Sequence, residues 1–402
     1  MVEQRKLVNM RGRTIARSET ESFKQPSDFF VLASIFTNFC YRSVPMDLGE
    51  GAYGSVLGFQ SKFDDAVGIA VKKYAQRCFR ELQLIRSLGH ENIVKWISAY
   101  TVAEPLSSRN QGPYSIYLIT EYAGLDLRIR LNNEEKNKQY TLRSFKRMIS
   151  ELLRALKYLK SANVIHRDLK PSNIAIDARG KLTLLDFGMA RAFNINQELT
   201  TDSGTCVYRA LETIVVWHGN YAAWSMDERL RIYDDKADMW SVGAILCEMI
   251  TGLVLFYVQV EPGKTASAID VIRKALQICG PIPDYVISRF DTDSLRKKLR
   301  KENANASPRI DFIQYFREHG RSWLRREIEA DRVDLDDFIN RTLVFDYEDR
   351  MSVDEALAHP FLASERRLEK EVVAHFQIQD EENRSVEKWQ ERILEFINNP
   401  NP

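Results

Sequence analysis

The stretch VIHRDLKPSNIAIDARGKLTLLDFGMAR, which runs from Val164 to Arg191, alternates sharply between charged residues and apolar runs. Within it, Asp168 and Asn173 are five residues apart, and Asp186 follows thirteen residues later, after the apolar run LTLL. Amide and carboxylate oxygens are hard donors of the kind that Mg²⁺ prefers. The spacing therefore predicts that Asn173 and Asp186 hold magnesium and, through it, a triphosphate.

The same stretch supplies a separate carboxylate with a cation beside it. Asp168 is predicted to orient a substrate hydroxyl and to accept its proton, as a general base does. Lys170 follows two residues later, so its charge can meet the negative charge that develops during the reaction. The stretch thus predicts a nucleotide on one side and a substrate hydroxyl on the other.

A glycine-rich segment, LGEGAYGSV, precedes this stretch in the chain. Gly49, Gly51 and Gly54 form a GxGxxG pattern between two strand-like runs, and glycines let the backbone close over phosphates without a Cβ in the way. The same pattern occurs in dinucleotide-binding folds, where the last glycine opens a helix. Here SVLGFQ continues as a strand, which favours the phosphate-covering loop over the dinucleotide fold.

Two further charged residues lie between the glycines and the opening stretch. Lys72 lies on the strand-like run IAVKK with apolar neighbours, and a half-buried lysine needs an anion, either phosphate or carboxylate. Glu81 lies on the polar edge of the next helical pattern, nine residues further on, where it can pair with Lys72. The alternatives are a lysine on an edge strand and a solvated glutamate.

Composition limits the class of protein. The chain has 402 residues, 44% of them hydrophobic and 28% charged, which suits two lobes with ordinary cores. A net charge of +1 provides no overall field for nucleic acid or an anionic membrane. The five cysteines include no CxxC pair, which argues against a disulfide framework or a zinc site and fits a reducing compartment.

No segment is favoured as a membrane anchor. The basic N-terminal stretch lacks the apolar run of a secretory signal. The run from Ser241 to Val260 is long enough to span a bilayer, but Glu248 lies near its centre and Gly252 interrupts it, so a buried helix is favoured. The charged run SLRKKLRKENANASPR favours a solvated helix and loop over a binding patch.

The pattern of periodicity changes along the chain. Short strand-like runs surround one helical pattern whose apolar face carries Phe79, Leu82, Ile85 and Leu88, whereas long helical patterns follow Leu127. The predicted organisation is an N-terminal extension (1–40), a β-rich lobe (41–121), a hinge (122–126), a helical lobe (127–363) and a C-terminal extension that packs back on the body (364–402).

Taken in order, these motifs resemble the protein kinase signature of glycine-rich loop, strand lysine, helix glutamate, HRDLKPSN and DFG. The resemblance covers about Tyr41 to Phe361. It implies an α+β, two-lobed protein-kinase fold with a small β-rich N-lobe and a larger helical C-lobe. It further implies transfer of the γ-phosphoryl group of ATP to protein hydroxyls with Mg²⁺, and the lysine after HRD is similar to that of serine/threonine kinases.

The resemblance also assigns positions. Thr120 matches the gatekeeper before the hinge, Asp238 matches a residue of the core helix in DMWSVGA, and Arg350 matches the partner of Glu212. The implied ATP-binding residues are Leu48, Gly49, Glu50, Gly51, Ala52, Tyr53, Gly54, Val56, Ala70, Lys72, Thr120, Glu121 and Ala123.

Several segments, among them RELQLIRSLGHENIV and SVDEALAHPFL, resemble MAP kinases. The C-terminal RSVEKWQERILEFI is similar to the tail of the Jun N-terminal kinase type, whereas Thr120 and TEYAGLDL are similar to osmotic-stress members. The chain is thus identified as resembling a divergent stress-activated MAP kinase. Implied partners are protein substrates, an upstream dual-specificity MAP kinase kinase and phosphatases, with no nucleic acid and no membrane; a monomer in the cytoplasm and nucleus is expected.

The activation segment departs from the family pattern. Where MAP kinases carry Thr-x-Tyr, this chain has Thr200-Thr201-Asp202, and Cys206 replaces the first of two arginines that accompany the tyrosine. A phosphate on Thr200 would meet arginines that can form charge-assisted hydrogen bonds, which predicts activation at this single site. The arginines implied are Arg77, Arg80, Arg167 and Arg191.

Two other departures leave an alternative open. Lys72 and Glu81 are closer in sequence than in the family, and Leu211 replaces the proline of YRAPE, near the groove for the residue after the phosphoacceptor. These changes, with the absent tyrosine, allow a pseudokinase that acts as a scaffold or allosteric partner. Retention of every phosphate- and metal-binding group favours the enzyme.

Overall fold

A computed structural model describes most of the chain. The described residues are 8–9, 46–51, 54–61, 68–74, 79–103, 114–132, 140–192, 206–218, 235–260, 266–290, 293–378 and 397. They form two compact units: the first spans Met1–Gly124, Asp186–Gly188 and Asn383–Pro402, and the second spans Leu125–Leu185 and Met189–Glu382.

The first unit is built on a six-stranded sheet with one helix. Its elements are β1 (Val8–Asn9), β2 (Met46–Gly51), β3 (Gly54–Gln60), β4 (Gly68–Tyr74), α1 (Phe79–Ser87), β5 (Trp96–Ala103) and β6 (Tyr114–Glu121). The strand order is β1-β2-β3-β4-β6-β5, antiparallel except for the parallel pair β1 and β2.

The core of this sheet follows from the two-residue period of its strands, which sends alternate side chains to one face. Leu57 and Phe59 of β3, Ile69 and Val71 of β4, and Tyr117 and Ile119 of β6 form one buried cluster. The apolar face predicted for α1 is confirmed, because Phe79, Leu82, Ile85 and Leu88 are all buried.

The second unit is mainly helical. Its strands are β7 (Leu125–Asp126), β8 (Val164–Ile165), β9 (Ile174–Ile176), β10 (Leu182–Leu184) and β11 (Arg191–Ala192). Its helices are α2 (Leu127–Leu131), α3 (Leu142–Ser161), α4 (Leu211–His218), α5 (Lys236–Thr251), α6 (Ala268–Cys279), α7 (Asp284–Ser288), α8 (Asp293–Asn303), α9 (Phe312–His319), α10 (Arg325–Ala330), α11 (Arg332–Thr342) and α12 (Val353–Ala358). Short 3₁₀ turns lie at Pro171–Asn173, Cys206–Tyr208, Ser322–Leu324, Pro360–Leu362 and Leu368–Lys370.

Two helices form the centre of this unit. α3 begins with a capping box between Thr141 and Ser144, which satisfies two backbone donors at the helix start. The apolar stripe predicted for it is buried at every position, namely Leu142, Phe145, Ile149, Leu152, Leu156 and Leu159. In α5, every residue from Ala237 to Thr251 is buried, so the predicted buried helix is confirmed over this range.

The helical part of the run from Ser241 to Val260 ends earlier than its apolar composition suggested. α5 ends at Thr251 because Gly252 adopts a left-handed conformation, with φ 78°, which costs glycine no steric strain. Among the described residues, no helix is both long and apolar enough to cross a bilayer. In α8, Leu299 alone is buried, the pattern of a solvated surface helix.

The terminal extensions are described only in part. Val8 and Asn9 pair in parallel with Met46 and Asp47. After α12, the backbone N–H of Ala374 donates to Ser161 Oγ at 2.7 Å, and that of Ile378 donates to the Ala162 carbonyl at 2.9 Å. The stretch RSVEKWQERILEFI, which resembles the tail of the Jun N-terminal kinase type, lies outside the described residues except for residue 397, and the domain boundaries predicted from the sequence stay predictions.

Candidate active site

Lys72 of β4 meets two carboxylates within the first unit. Its Nζ lies 2.8 Å from Glu81 Oε1 and 3.0 Å from Glu81 Oε2 on α1, and 3.0 Å from Asp186 Oδ1. The pairing of Lys72 with Glu81 that the sequence predicted is therefore present, although only nine residues separate the two. Glu81 does not lie on a polar edge, because its side chain is only 3% exposed.

The two carboxylates determine the charge of the lysine. Burial alone would lower the pKa of Lys72, but the negative charges of Asp186 and Glu81 outweigh burial and raise the pKa above its usual value. Lys72 is therefore a cation at neutral pH. Lys72 is mostly buried and is oriented by two hydrogen-bonded carboxylates. A cation held in this way is suited to binding phosphate oxygens.

The glycine pattern lies at the turn of the β2–β3 hairpin. Gly51 pairs with Gly54, Glu50 with Ser55 and Gly49 with Val56, while Ala52 and Tyr53 lie outside the described residues. A Cβ at Gly58 would come within 2.9 Å of Leu48 Cδ1, so Leu48 lies directly over this glycine.

The strand register places other predicted nucleotide contacts in two neighbouring rows of the sheet. Val56 lies opposite Lys72, and Ala70 lies opposite Thr120. Thr120 is buried, Glu121 is exposed and Ala123 is half-buried. The register therefore places Val56, Ala70 and Thr120 near Lys72 on one sheet, and the contact of all these residues with a nucleotide stays a prediction.

Asp168 lies in a second cluster, within the second unit. Its Oδ2 accepts hydrogen bonds from Lys170 Nζ at 2.6 Å and from Asn173 Nδ2 at 3.0 Å, and its Oδ1 accepts one from Arg209 at 3.1 Å. Burial alone would raise the pKa of Asp168, but the charges of Lys170 and Arg209 hold the pKa below its usual value. The carboxylate is therefore ionised.

The loop that carries Asp168 is fixed by a buried carboxylate from α5. Asp238 Oδ2 accepts the backbone N–H of His166 at 2.9 Å, and Asp238 Oδ1 accepts that of Arg167, also at 2.9 Å. Arg167 has φ 69°, in the left-handed region that non-glycine residues adopt only when their surroundings enforce it. The His166 ring also donates to the Leu185 carbonyl at 2.9 Å.

A profile of the family described as protein kinase domain matches residues 42–362. The chain belongs to the protein kinase family. Mitogen-activated protein kinase 14 of Xenopus laevis is 32% identical over 363 residues, which cover 87% of this chain and 88% of that protein. Mitogen-activated protein kinase 13 of Mus musculus is 31% identical over 378 residues, 89% of this chain and 88% of that protein. Mitogen-activated protein kinase p38b of Drosophila melanogaster is 30% identical over 361 residues, 87% of each chain.

Within the protein kinases, the chain therefore belongs to the MAP kinases. The members of this family are serine/threonine protein kinases that use ATP and Mg²⁺. The expected α+β fold, with a β-sheet N-lobe and a helical C-lobe, is confirmed. The narrower resemblance to the Jun N-terminal kinase type is not confirmed by these relatives.

The donor set of this kinase fits magnesium. The Asn173 amide nitrogen donates to the Asp168 backbone carbonyl at 2.8 Å and to the Asp168 carboxylate. The amide oxygen, which is an acceptor, is then the Asn173 atom that could bind a metal. Asp186, held at φ 54°, directs Oδ1 to Lys72 and to the Gly188 N–H at 3.2 Å. Amide and carboxylate oxygens suit Mg²⁺, and that Asn173 and Asp186 together hold the ion stays a prediction. Among the described side chains, no three His, Cys, Asp or Glu residues converge as a metal site.

Some predicted regulatory residues can be placed and others cannot. Arg167 is buried beside Asp168, and Arg80 is half-buried on α1. Arg191 pairs with Ile165 through its backbone; Arg77 and Thr200 lie outside the described residues.

The segment that leads into α4 is held by two buried contacts. Tyr208 donates to Glu248 Oε2 at 2.6 Å, and Arg350 donates to Glu212 at 2.6 and 3.2 Å, as the resemblance implied for the latter pair. The contact between Arg209 and Asp168 could not be predicted from the sequence, because the two residues are 41 positions apart and share no motif spacing.

Proposed function

We propose that this MAP kinase is an active enzyme that transfers the γ-phosphoryl group of ATP to serine and threonine hydroxyls followed by proline. It acts in a stress-type cascade and is activated by phosphorylation at Thr200. The observation that carries the proposal is the ionised Asp168 carboxylate, with Lys170 Nζ at 2.6 Å and Asn173 Nδ2 at 3.0 Å. A scaffold has no need of a base and a cation in this contact.

Each residue has a part in the mechanism. Lys72, oriented by Glu81, binds phosphate oxygens, and Asp168 orients the substrate hydroxyl and accepts its proton. Lys170 stabilises the negative charge that develops on the transferring group. Asn173 and Asp186 would hold magnesium, which when bound would supply positive charge to the phosphate oxygens.

The regulatory part of the proposal rests on the chemistry of the arginines. Arg167 is a buried cation in the loop that carries Asp168, and guanidinium groups bind phosphate through paired hydrogen bonds. Phosphate on Thr200 would gain such bonds and order the segment before α4. Upstream dual-specificity kinases, phosphatases, a monomeric state and a cytoplasmic and nuclear location are proposed with it.

The proposal is tested by transfer of labelled γ-phosphate from ATP to a peptide that contains Ser-Pro and to a matched Ser-Ala peptide. The protein is assayed before and after treatment with an upstream activating kinase. Transfer to the Ser-Pro peptide that disappears in Asp186→Ala and Lys72→Arg is expected. Equal transfer to both peptides contradicts the proline preference, and transfer that survives both substitutions shows a contaminating kinase.

ATP binding without turnover, even after activation, would contradict the enzyme and support the pseudokinase. Activation that persists in Thr200→Ala would contradict single-site control.

A further inference from the structure

Arg209 lies on Asp168, and the proposed mechanism gives it no part. Its guanidinium is 3.1 Å from Oδ1, and the two side chains are only 6% and 11% exposed. This burial separates the pair from the solvated surface pairs of the same unit, such as Arg300 with Asp284, which are 47% and 71% exposed. An exposed ion pair contributes little to stability, whereas a hydrogen bond between charged groups that are shielded from water is stronger.

The backbone on both sides of Arg209 is fixed. Tyr208 is held by its hydrogen bond to Glu248 and by Ser241 Oγ, which donates to the Tyr208 carbonyl at 2.7 Å. On the other side, Glu212 is held by Arg350, whose side chain is fully buried. The Arg209 guanidinium therefore contacts Asp168 from a segment, Tyr208–Glu212, that is anchored at both ends.

The contact changes what Asp168 can accept. A carboxylate offers about four acceptor positions, and three of them are taken by Lys170, Asn173 and Arg209. Two of these three donors are cations, and a carboxylate that is already satisfied by cations binds a neutral hydroxyl more weakly. Arg209 is the one of the three that occupies Oδ1.

We propose that Arg209 is an inhibitory positioning residue that occupies Asp168 Oδ1 in the resting kinase and withdraws when the substrate hydroxyl docks there. The inference rests on the proposed function, since it assumes that Asp168 receives a hydroxyl. It assigns Arg209 a part in setting the basal rate and none in binding ATP.

The first test compares basal kcat and the KM for ATP in the unphosphorylated wild type and in Arg209→Gln. Loss of a charge-assisted hydrogen bond to Oδ1 is expected to raise kcat about tenfold, with the KM for ATP unchanged. Arg209→Lys keeps the cation and should stay close to wild type. Arg300→Gln, which removes an exposed arginine from an ion pair, is the matched control and should leave kcat unchanged.

A double substitution separates this effect from a general loosening of the segment. In an Asp168→Asn background, Arg209→Gln should have no effect, because the arginine acts through that carboxylate. A fall in kcat of Arg209→Gln at unchanged thermal stability would overturn the inference, as would a rise of equal size in the Asp168→Asn background.

A structure of the wild type decides the question even where Arg209→Gln does not fold. In a complex with Mg²⁺, a non-hydrolysable ATP analogue and a Ser-Pro peptide, the guanidinium should lie beyond about 4 Å from Oδ1, outside ion-pair distance. A guanidinium that keeps its contact while the serine hydroxyl also binds Asp168 would overturn the inference. Absence of turnover in every folded form contradicts the proposed function, and the position of Arg209 in this complex still tests the inference by itself.

Discussion

Replacement of Asp238 by asparagine should loosen the loop that carries Asp168. Asp238 is only 4% exposed, and each carboxylate oxygen accepts one backbone N–H at 2.9 Å, from His166 and Arg167. Asparagine has nearly the same shape but offers one oxygen, so its NH₂ group would face a backbone N–H. One charge-assisted hydrogen bond is lost, and a buried donor is left without a partner.

The magnitude follows from two opposing effects. A hydrogen bond to a charged group contributes about 1.5–3 kcal/mol, and an unsatisfied buried donor costs about 1–3 kcal/mol. Against this, burial raises the pKa of Asp238, which means that the buried charge itself is unfavourable and that a neutral amide recovers part of the loss. A net destabilisation of about 2 kcal/mol remains, equivalent to a fall of about 4–8 °C in Tm.

Thermal unfolding followed by circular dichroism measures this shift, and steady-state kinetics measure the second effect. Because Asp168 is held by the same loop, kcat should fall about tenfold or more while the KM for ATP changes little. Asp284→Asn, at an exposed position of α7, is the control and should leave both Tm and kcat close to wild type. A wild-type Tm together with a wild-type kcat in Asp238→Asn would show that Asp238 does not hold this loop in place.

Three further outcomes are expected. Arg350→Met, which leaves the buried carboxylate of Glu212 unpaired, should lower the free energy of unfolding by about 3–5 kcal/mol in urea titration; a loss below about 1 kcal/mol would contradict a buried pair. Because Asp186 and Glu81 outweigh burial and keep the pKa of Lys72 above its usual 10.5, a kcat–pH profile should show no loss from deprotonation of Lys72 below pH 10.5. The charges of Lys170 and Arg209 outweigh burial and hold the pKa of Asp168 below 3.8. The contribution of the Asp168 carboxylate to the free energy of unfolding is therefore fully present above pH 3.8 and is lost as pH falls through the lower pKa of the folded state. Acid titration of unfolding measures this loss.

Much of the fold, and the identity of the site residues, could be predicted from local patterns in the sequence. The apolar faces of α1 and α3 follow from helical period alone, and both are buried as predicted. The kinase motifs predicted the Lys72–Glu81 contact, which the structure contains. These features depend on residues that are close in sequence or that form a motif of fixed order.

The features that sequence did not reveal depend on contacts between distant segments. Glu81 was expected at a polar helix edge, yet it is buried because β4 brings Lys72 against that face of α1. The second carboxylate on Lys72 comes from Asp186, 114 residues further along the chain. The same holds for Arg209, whose contact with Asp168 depends on how Tyr208 and Glu212 are anchored, which no local pattern records.

Asp168 is proposed to accept a proton from a protein hydroxyl during phosphoryl transfer, and the rate of activated Asp168→Asn measures this role. Single-turnover transfer from labelled ATP to a Ser-Pro peptide should be at least about 100-fold slower than in wild type, while the affinity for Mg·ATP, measured by fluorescence titration, stays the same. Transfer at the wild-type rate by a folded, ATP-bound Asp168→Asn protein would show that Asp168 is not the base.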